Sequence, residues 1–232
     1  MKHTLLIRLQ GPMQAWGVQS RFSVRDTARE PTKSGVIGLL CSALGRRRTA
    51  PLDDLSSLRM GVRVDQEGEL MVDYHTARNV LNAEGKVLKN AVLSNRYYLA
   101  DAIFLVGLES ADLALLENLQ AILKQPEWLL CLGRKSFPLS APAWLKEGLR
   151  PNETLEAALE SYPWLVRQPR NDWESKKLPQ QLRLVYEHEA GQGAFSRQDL
   201  PLSFANRNFA QRRFDILLCN PPEAFLNEKE GG

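Results

Sequence analysis

A glycine followed by two basic residues and a serine stands at Gly133-Arg134-Lys135-Ser136. The glycine allows backbone N–H groups to approach a phosphate, the arginine and lysine neutralise its charge, and the serine adds a short donor. These residue types suit the binding of a nucleic-acid backbone. Ordinary solvated turns have the same composition, so the motif alone leaves both interpretations open.

The segment from Gly11 to Gly17 is the second candidate, because its glycines bracket Gln14 and Trp16. In RNA-binding loops an aromatic ring stacks on a base and an amide hydrogen-bonds to a base edge. The alternative is a tight loop whose tryptophan closes the hydrophobic core. For Trp16 the residues themselves slightly favour this alternative.

The segment Thr32-Lys33-Ser34-Gly35 is typical of the start of a helix. The free N–H groups and the dipole of a helix N-terminus attract anions, so Lys33 and Ser34 are candidates for a phosphate contact. Simple capping of the helix by a threonine is the commoner role of such a segment.

Arg96 and Tyr98 lie on the same face of a predicted strand, and Tyr97 points to the other face. An arginine and a tyrosine side by side on a sheet suit phosphate pairing and base stacking. The competing interpretation is packing of a half-buried strand with Arg96 in solvent.

Catalytic residues are poorly indicated. The three histidines, His3, His75 and His188, have no metal-ligand spacing, and no nucleotide-binding loop or nucleophile elbow is present. His75 lies in the segment DYHT and is the one candidate for a general base in RNA cleavage. We expect no catalytic residue, no metal and no cofactor.

The charge of the chain is unevenly distributed. The net formal charge of the 232 residues is only +3, but residues 1–48 contain nine lysines and arginines, Arg21 among them, against two acidic residues. This stretch therefore carries +7 and the remainder −4. A basic N-terminal part on a slightly acidic body suggests a surface that faces a polyanion.

The N-terminal apolar run is short and is interrupted by Arg8, so it predicts neither a signal peptide nor a membrane span. The three cysteines are isolated in the sequence, which does not suggest a disulfide framework. We therefore expect a cytoplasmic protein with no membrane partner.

Hydrophobic periodicity predicts an α+β fold in the order strand, helix, strand, strand, helix, strand. This is the ferredoxin-like arrangement of RNA-recognition (RRM-like) domains. The predicted elements are strands at 4–10, 58–65, 97–106 and 128–131 and helices that begin near Thr32 and Ser110.

Residues 76–95 are polar and predict a protruding hairpin or arm. A short helix at 153–161 and strands at 182–188 and 214–219 predict a smaller β-rich unit in the C-terminal part. The expected domain division is residues 1–140 and residues 141–232.

Five ordered blocks of the sequence resemble one protein family. The blocks are LIRLQGPMQAWG at 6–17, PTKSGVIGLL at 31–40, DYHT at 73–76, RYYLADA at 96–102 and LGRKSFPL at 132–139. In this order they resemble the CasD family, the fifth CRISPR-associated family, as found in type I-E Cascade.

The resemblance implies a ferredoxin-like (RAMP) domain with a thumb at about 76–95 and a small β-rich C-terminal unit. It also implies a non-catalytic subunit that holds the 5′ handle of CRISPR RNA and contacts the backbone and large subunits of Cascade. Target DNA would be a partner only through the complex. Transferred to this chain, the handle site contains Gln14, Trp16, Arg96, Gly133, Arg134, Lys135 and Ser136, to which the residue types add Lys33, Ser34, His75 and Tyr98.

Two other functions are compatible with the sequence. The type I-C relatives implied by the resemblance process precursor RNA without a metal, and His75, Lys33 or Tyr98 would be the participants here. The second alternative is a general single-stranded RNA-binding module outside CRISPR systems.

Overall fold

The computed structural model describes residues 1–18, 23–188 and 192–226, so Arg21 lies outside the described residues. The strands are β1 His3–Gln10, β2 Met13–Gln14, β3 Val24–Arg25, β4 Arg59–Gln66, β5 Glu69–Ala77, β6 Val92–Ala100, β7 Ile103–Ser110, β8 Trp144–Arg150, β9 Leu182–Glu187, β10 Phe195–Ser203 and β11 Asn208–Cys219. The helices are α1 Lys33–Ala43, α2 Asp53–Ser56, α3 Leu113–Lys124, α4 Leu155–Ser161 and α5 Asp172–Ser175. Within the described ranges, no helix combines the length and apolar character needed to cross a membrane.

A seven-stranded sheet in the order β10-β11-β9-β4-β7-β1-β8 is the centre of the molecule. Four of its strands have the order β8-β1-β7-β4 with antiparallel pairing. Along the chain, these strands and two helices come in the order β1, α1, β4, β7, α3 and β8. This is the ferredoxin-like topology, and the prediction of an α+β fold of this type is confirmed.

Strand β1 is buried on both faces because helices cover the sheet from both sides. Leu5, Ile7 and Leu9 belong to the cluster that contains α1 and α3, and Leu6 belongs to the cluster that contains α4. This explains why apolar residues occupy both faces of the strand between Leu5 and Leu9, where only Arg8 interrupts them.

Helix α4 approaches the sheet closely at two glycines that face each other across β4 and β7. A Cβ atom at Gly61 would lie 2.7 Å from a methyl group of Leu159, and one at Gly107 would lie 2.6 Å from a methyl group of Leu155. The two glycines therefore form the groove that receives the leucines of α4.

Two predicted strands differ from the structure. The expected strand 97–106 is divided at Asp101, whose φ of 56° turns the chain, so that β6 and β7 belong to different sheets. The last strand of the ferredoxin-like unit is β8, not residues 128–131, where Leu129 is 96% exposed. An apolar run thus predicted burial where the chain forms a surface loop.

The C-terminal strands extend the central sheet. Strand β9 pairs with β4, and β8 pairs with β1. The expected division at residue 140 therefore does not correspond to two separate sheets. The predictions of a helix near 153–161 and of strands near 182 and 214 agree with α4, β9 and β11.

A second, four-stranded sheet contains β2, β6 and β3, with β5 paired to β6. Strands β5 and β6 form a long antiparallel hairpin from Glu69 to Ala100, and a bridge between Leu81 and Val87 lies within its end loop. The arm expected at 76–95 is the outer part of this hairpin.

The buried ion pair of Arg63 and Asp65 attaches the segment after α4 to strand β4. The guanidinium group of Arg63 makes two hydrogen bonds to the Asp65 carboxylate, at 2.6 and 2.9 Å, and three to the carbonyl oxygens of Leu159, Tyr162 and Pro163. Asp65 also accepts from the backbone N–H of Leu165 at 2.8 Å. All five N–H donors of the arginine are thus used in the interior.

Replacement of Asp65 by alanine should lower the free energy of unfolding by about 3–5 kcal/mol, because it leaves the Arg63 charge buried without its partner. Chemical denaturation of the purified variant measures the effect. The matched control is Arg167→Ala, which removes an ion pair to Glu174 from a side chain that is 57% exposed and should hardly change the transition. Equal stability of the two variants would contradict this account of the buried pair.

Candidate nucleic-acid interface

The loops that contain the two glycine-bearing motifs touch through their backbones. The N–H of Ala15 donates to the carbonyl oxygen of Leu132 at 3.1 Å. Gly133 has a φ of +86°, and a Cβ atom on it would lie 1.8 Å from the carbonyl oxygen of Ala15. Because no side chain fits there, glycine is required at this position, and the two motifs form one continuous wall.

Arg134 is held across the second sheet by this loop. Its Nη2 atom donates to the carbonyl oxygen of Tyr97 at 2.7 Å, and its guanidinium carbon lies 5.2 Å from the ring centre of Phe137. The ring of Phe137 in turn packs at 5.9 Å from the ring of Tyr98. The loop therefore fixes the direction of Arg134, and Tyr98 packs against the Phe137 ring that contacts this arginine.

Three arginines converge on a cleft of about 300 Å³, which we call the arginine cleft. Arg25 and Arg96 are direct neighbours on the paired strands β3 and β6, and Arg134 reaches them from the opposite loop. The residues that line the cleft are Ala15, Gly17, Arg25, Asp26, Arg96, Gly133 and Arg134.

The arginine cleft has excess positive charge. None of its three guanidinium groups forms a salt bridge within the part of the chain that the structure describes. Burial lowers the pKa of Arg134 below its ordinary value, and the charges of Arg96 and Arg25 lower it further, against the opposite effect of Asp73 and Asp26. An anion bound in the cleft would relieve this repulsion.

His75 lies on the same face of the β5–β6 hairpin as Arg96 and Tyr98. The register pairs Asp73 with Arg96 and His75 with Ser94, and side chains two positions apart share a face. Arg96 donates from Nε to the hydroxyl of Ser94 at 3.1 Å. The structure thus places these three residues of the predicted site on one face of the hairpin.

Lys135 and Ser136 are exposed on the loop that carries Gly133 and Arg134. They adjoin the arginine cleft without lining it. Their placement is compatible with contacts to a ligand that extends beyond the cleft.

The expectation that Gln14 contacts RNA is corrected by the structure. Its side chain is fully buried, and its amide nitrogen donates to the carbonyl oxygen of Ala102 at 2.7 Å. The residue joins β2 to the start of β7, so its contribution to the site is to position the loop after it.

Trp16 is also a core residue and does not offer a ring to a base. It is 1% exposed, and a Cβ atom on Gly35 would lie 2.7 Å from its ring. Its indole N–H is buried without a hydrogen-bond partner among the described residues. The ring fills the space between its loop and helix α1. This is the second of the two roles predicted for Trp16, closure of the hydrophobic core.

Lys33 does not form an anion site. Its ammonium group pairs with Glu187 at 2.9 Å, and its backbone N–H donates to the carboxylate of Asp199 at 2.9 Å. Burial lowers the pKa of Lys33, although Glu187 opposes this effect. Because a protein carboxylate already occupies the N-terminus of α1, the prediction of an RNA contact through Lys33 is wrong.

Ser34 lines a second cleft of about 180 Å³, which we call the aromatic cleft. Its walls are Ala15, Trp16, Gly17, Thr32, Ser34, Gly35, Gly133, Phe204 and Phe209. Phe204 and Phe209 come from the turn and strand after β10, far from the other residues in sequence. No motif around them indicated a role in binding, and only the folding of β10 and β11 over α1 makes them part of this site.

The described residues contain no group of three or more histidine, cysteine or acidic side chains that could hold a metal ion. His75 and Tyr98 are separated on their shared face, because Ser94, the partner of His75, is four residues from Tyr98. Four residues of strand correspond to roughly 13 Å. The three candidates for RNA cleavage, Lys33 included, do not surround one point.

Comparison with known proteins agrees with this architecture. The family model described as CRISPR-associated protein (Cas_Cas5) matches residues 4–215. The CRISPR system Cascade subunit CasD of Escherichia coli (strain K12) is 39% identical over 163 residues, which are 62% of this chain and 71% of that protein.

Two solved structures are similar over 95% of this chain. One is described as a crystal structure of a Cas protein, with a TM-score of 0.76, 44% identity and 98% of its chain covered. The other is described as a CRISPR RNA-guided surveillance complex, with a TM-score of 0.75, 31% identity and 91% of its chain covered. Because the family model spans nearly the whole sequence and the fold agrees with it, the chain belongs to the Cas5 family of CRISPR-associated proteins.

Proposed function

We propose that this chain is a Cascade subunit that holds the 5′ handle of CRISPR RNA in its arginine cleft without cleaving it. Its Escherichia coli relative is a subunit of Cascade, and one similar solved structure belongs to an RNA-guided surveillance complex. The observation that carries the proposal is the convergence of Arg25, Arg96 and Arg134 in one cleft.

The chemistry of the arginine cleft fits an RNA backbone. Guanidinium groups bind phosphate oxygens through charge-assisted hydrogen bonds, and a cleft with several of them can hold a bent strand with closely spaced phosphates. The exposed side chains of Lys135 and Ser136 extend the polar surface beyond the cleft. His75 and Tyr98 continue it along the hairpin and support RNA contact there.

The opposite face of the hairpin suits a protein partner. Leu70, Val72, Tyr74 and Leu93 share that face and are all at least 41% exposed. A contiguous apolar patch of this kind on a soluble fold marks an interaction surface. We assign it to contact with the neighbouring backbone or large subunit of Cascade, and target DNA is reached only through the assembled complex.

The placement of the three candidates for RNA cleavage supports a holding role. Cleavage through the 2′-hydroxyl needs a base near that hydroxyl and an acid near the leaving oxygen. His75 and Tyr98 are too far apart along the sheet for one phosphodiester, and Lys33 is bound to Glu187.

Replacement of Arg96 by alanine should weaken binding of the repeat-derived 5′ handle RNA about 10- to 100-fold, because it removes a charged contact to phosphate. The slope of log affinity against log salt should decrease by about 1. The measurement is a binding titration at several salt concentrations with the full-length chain and its partner subunits.

The control for this prediction is Arg47→Ala, since Arg47 is an exposed arginine outside both clefts. It should leave the affinity almost unchanged. A scrambled handle should bind more weakly than the native one. Equal binding of the two RNAs, or equal effects of the two substitutions, would show that the arginine cleft is not the specific site.

Incubation of the protein with repeat RNA in EDTA should give no cleavage product, because His75, Tyr98 and Lys33 are not placed to act on one phosphodiester. The assay is denaturing gel electrophoresis after prolonged incubation, and the His75→Ala variant serves as the control. Specific cleavage that disappears in His75→Ala would establish the endoribonuclease alternative and refute the holding role.

A further inference from the structure

The arginine cleft and the aromatic cleft are adjacent parts of one surface. Ala15, Gly17 and Gly133 line both of them. A nucleotide whose phosphate lies against the arginines therefore has its ribose and base next to this shared glycine-rich wall.

The far wall of the aromatic cleft is formed by two phenylalanines in different orientations. The ring centres of Phe204 and Phe209 are 6.3 Å apart, and their planes are inclined by 63°. Both side chains are half-buried, and the ring of Phe204 lies 3.8 Å from the position that a Cβ atom would have on Gly38. Helix α1 therefore supports the aromatic wall from behind.

The aromatic cleft also has a polar side. It contains Thr32 and Ser34, whose hydroxyl oxygens are 3.4 Å apart. The hydroxyl oxygen of Thr32 caps helix α1, since it accepts a hydrogen bond from the N–H of Gly35. The hydroxyl of Ser34 donates to Thr32, and its oxygen can accept a hydrogen bond from a ligand. A planar ligand with an apolar face and a polar edge matches these two sides.

We propose that the aromatic cleft holds one unstacked base of the bound RNA, with its ring against Phe204 and Phe209 and its edge toward Ser34. This inference rests on the proposed function and adds a subsite to it. Sequence-specific recognition of single-stranded RNA commonly uses a base that is splayed out, stacked on an aromatic ring and hydrogen-bonded at its edge.

An RNA base fits the observations better than an apolar side chain of a partner subunit. The cleft shares a wall with the cationic one, that wall and the rest of its lining include two hydroxyl groups, and among the described residues no acidic side chain lines it. A partner side chain would need neither the hydroxyl groups nor the proximity to the arginines. The two occupants give different results when single bases are removed from the RNA.

The test combines Phe209→Ala with RNAs in which each base of the handle is removed in turn to leave an abasic position. For the unchanged protein, one abasic position should weaken binding by roughly 5- to 100-fold, the range of a stacked base. Phe209→Ala should weaken binding of the intact RNA by a similar factor. The same abasic position should then cause no further loss in the variant, and the salt dependence should stay that of the unchanged protein.

The matched control is Phe195→Ala on the same pair of strands. Phe209 pairs with Pro201, and Phe195 is six residues before Pro201, which is roughly 20 Å along the strand. Phe195→Ala should bind all the RNAs as the unchanged protein does. Phe204→Ala, a change in the turn rather than in strand β11, provides a second variant if Phe209→Ala fails to fold in a thermal melt.

If no abasic position interacts with Phe209 or Phe204, the base subsite is refuted. A loss of partner-subunit assembly without any loss of RNA affinity would assign the aromatic cleft to a protein side chain instead. In both cases the proposed function survives as long as Arg96→Ala still weakens RNA binding. If Arg96→Ala has no effect either, the proposed function itself fails.

Discussion

At Gly133 the backbone comes so close to the carbonyl group of Ala15 that no side chain can stand between them. This contact brings the loop after Leu132 against the loop after Gly11, and it directs Arg134 across strand β6, where it binds the carbonyl oxygen of Tyr97. Both clefts use the wall that results. The close contact between Gly133 and Ala15 therefore sets the shape of the site. The arginines provide its charge within that shape.

A network of buried ions joins the two ends of the chain around this site. Lys33 pairs with Glu187, Asp199 accepts from the N-terminus of α1, and Arg212 pairs with Asp199 at 2.8 Å. Glu30 pairs with Arg183 and Arg197; its burial would raise its pKa, but the two arginines lower it below the ordinary value. Buried pairs of this kind contribute more to position than to net stability. Here they fix β10 and β11 over α1, and the aromatic cleft forms only because of that placement.

The β5–β6 hairpin separates two kinds of contact by the alternation of side chains along a strand. One face carries Arg96, Tyr98 and His75, and the other exposes Val72 and Tyr74. In the proposed function the first face would contact RNA and the second a partner protein. The first face also exposes the apolar side chain of Met71 next to Tyr98, so the division between the two faces is one of charge more than of apolar surface.

Sequence patterns were sufficient to predict the ferredoxin-like order of elements, the family, and the motif around Gly133 and Arg134, because these depend on local periodicity and on residue types close together in the chain. They could not determine that Gln14, Trp16 and Lys33 are buried, since the partners that bury them, Ala102, Gly35 and Glu187, are recognised only after folding. They also could not place Phe204 and Phe209 in the site, because about 170 residues separate them from the helix they cover. Which polar and aromatic side chains remain available to a ligand depends on the folded molecule, because burial is a property of the whole packed structure.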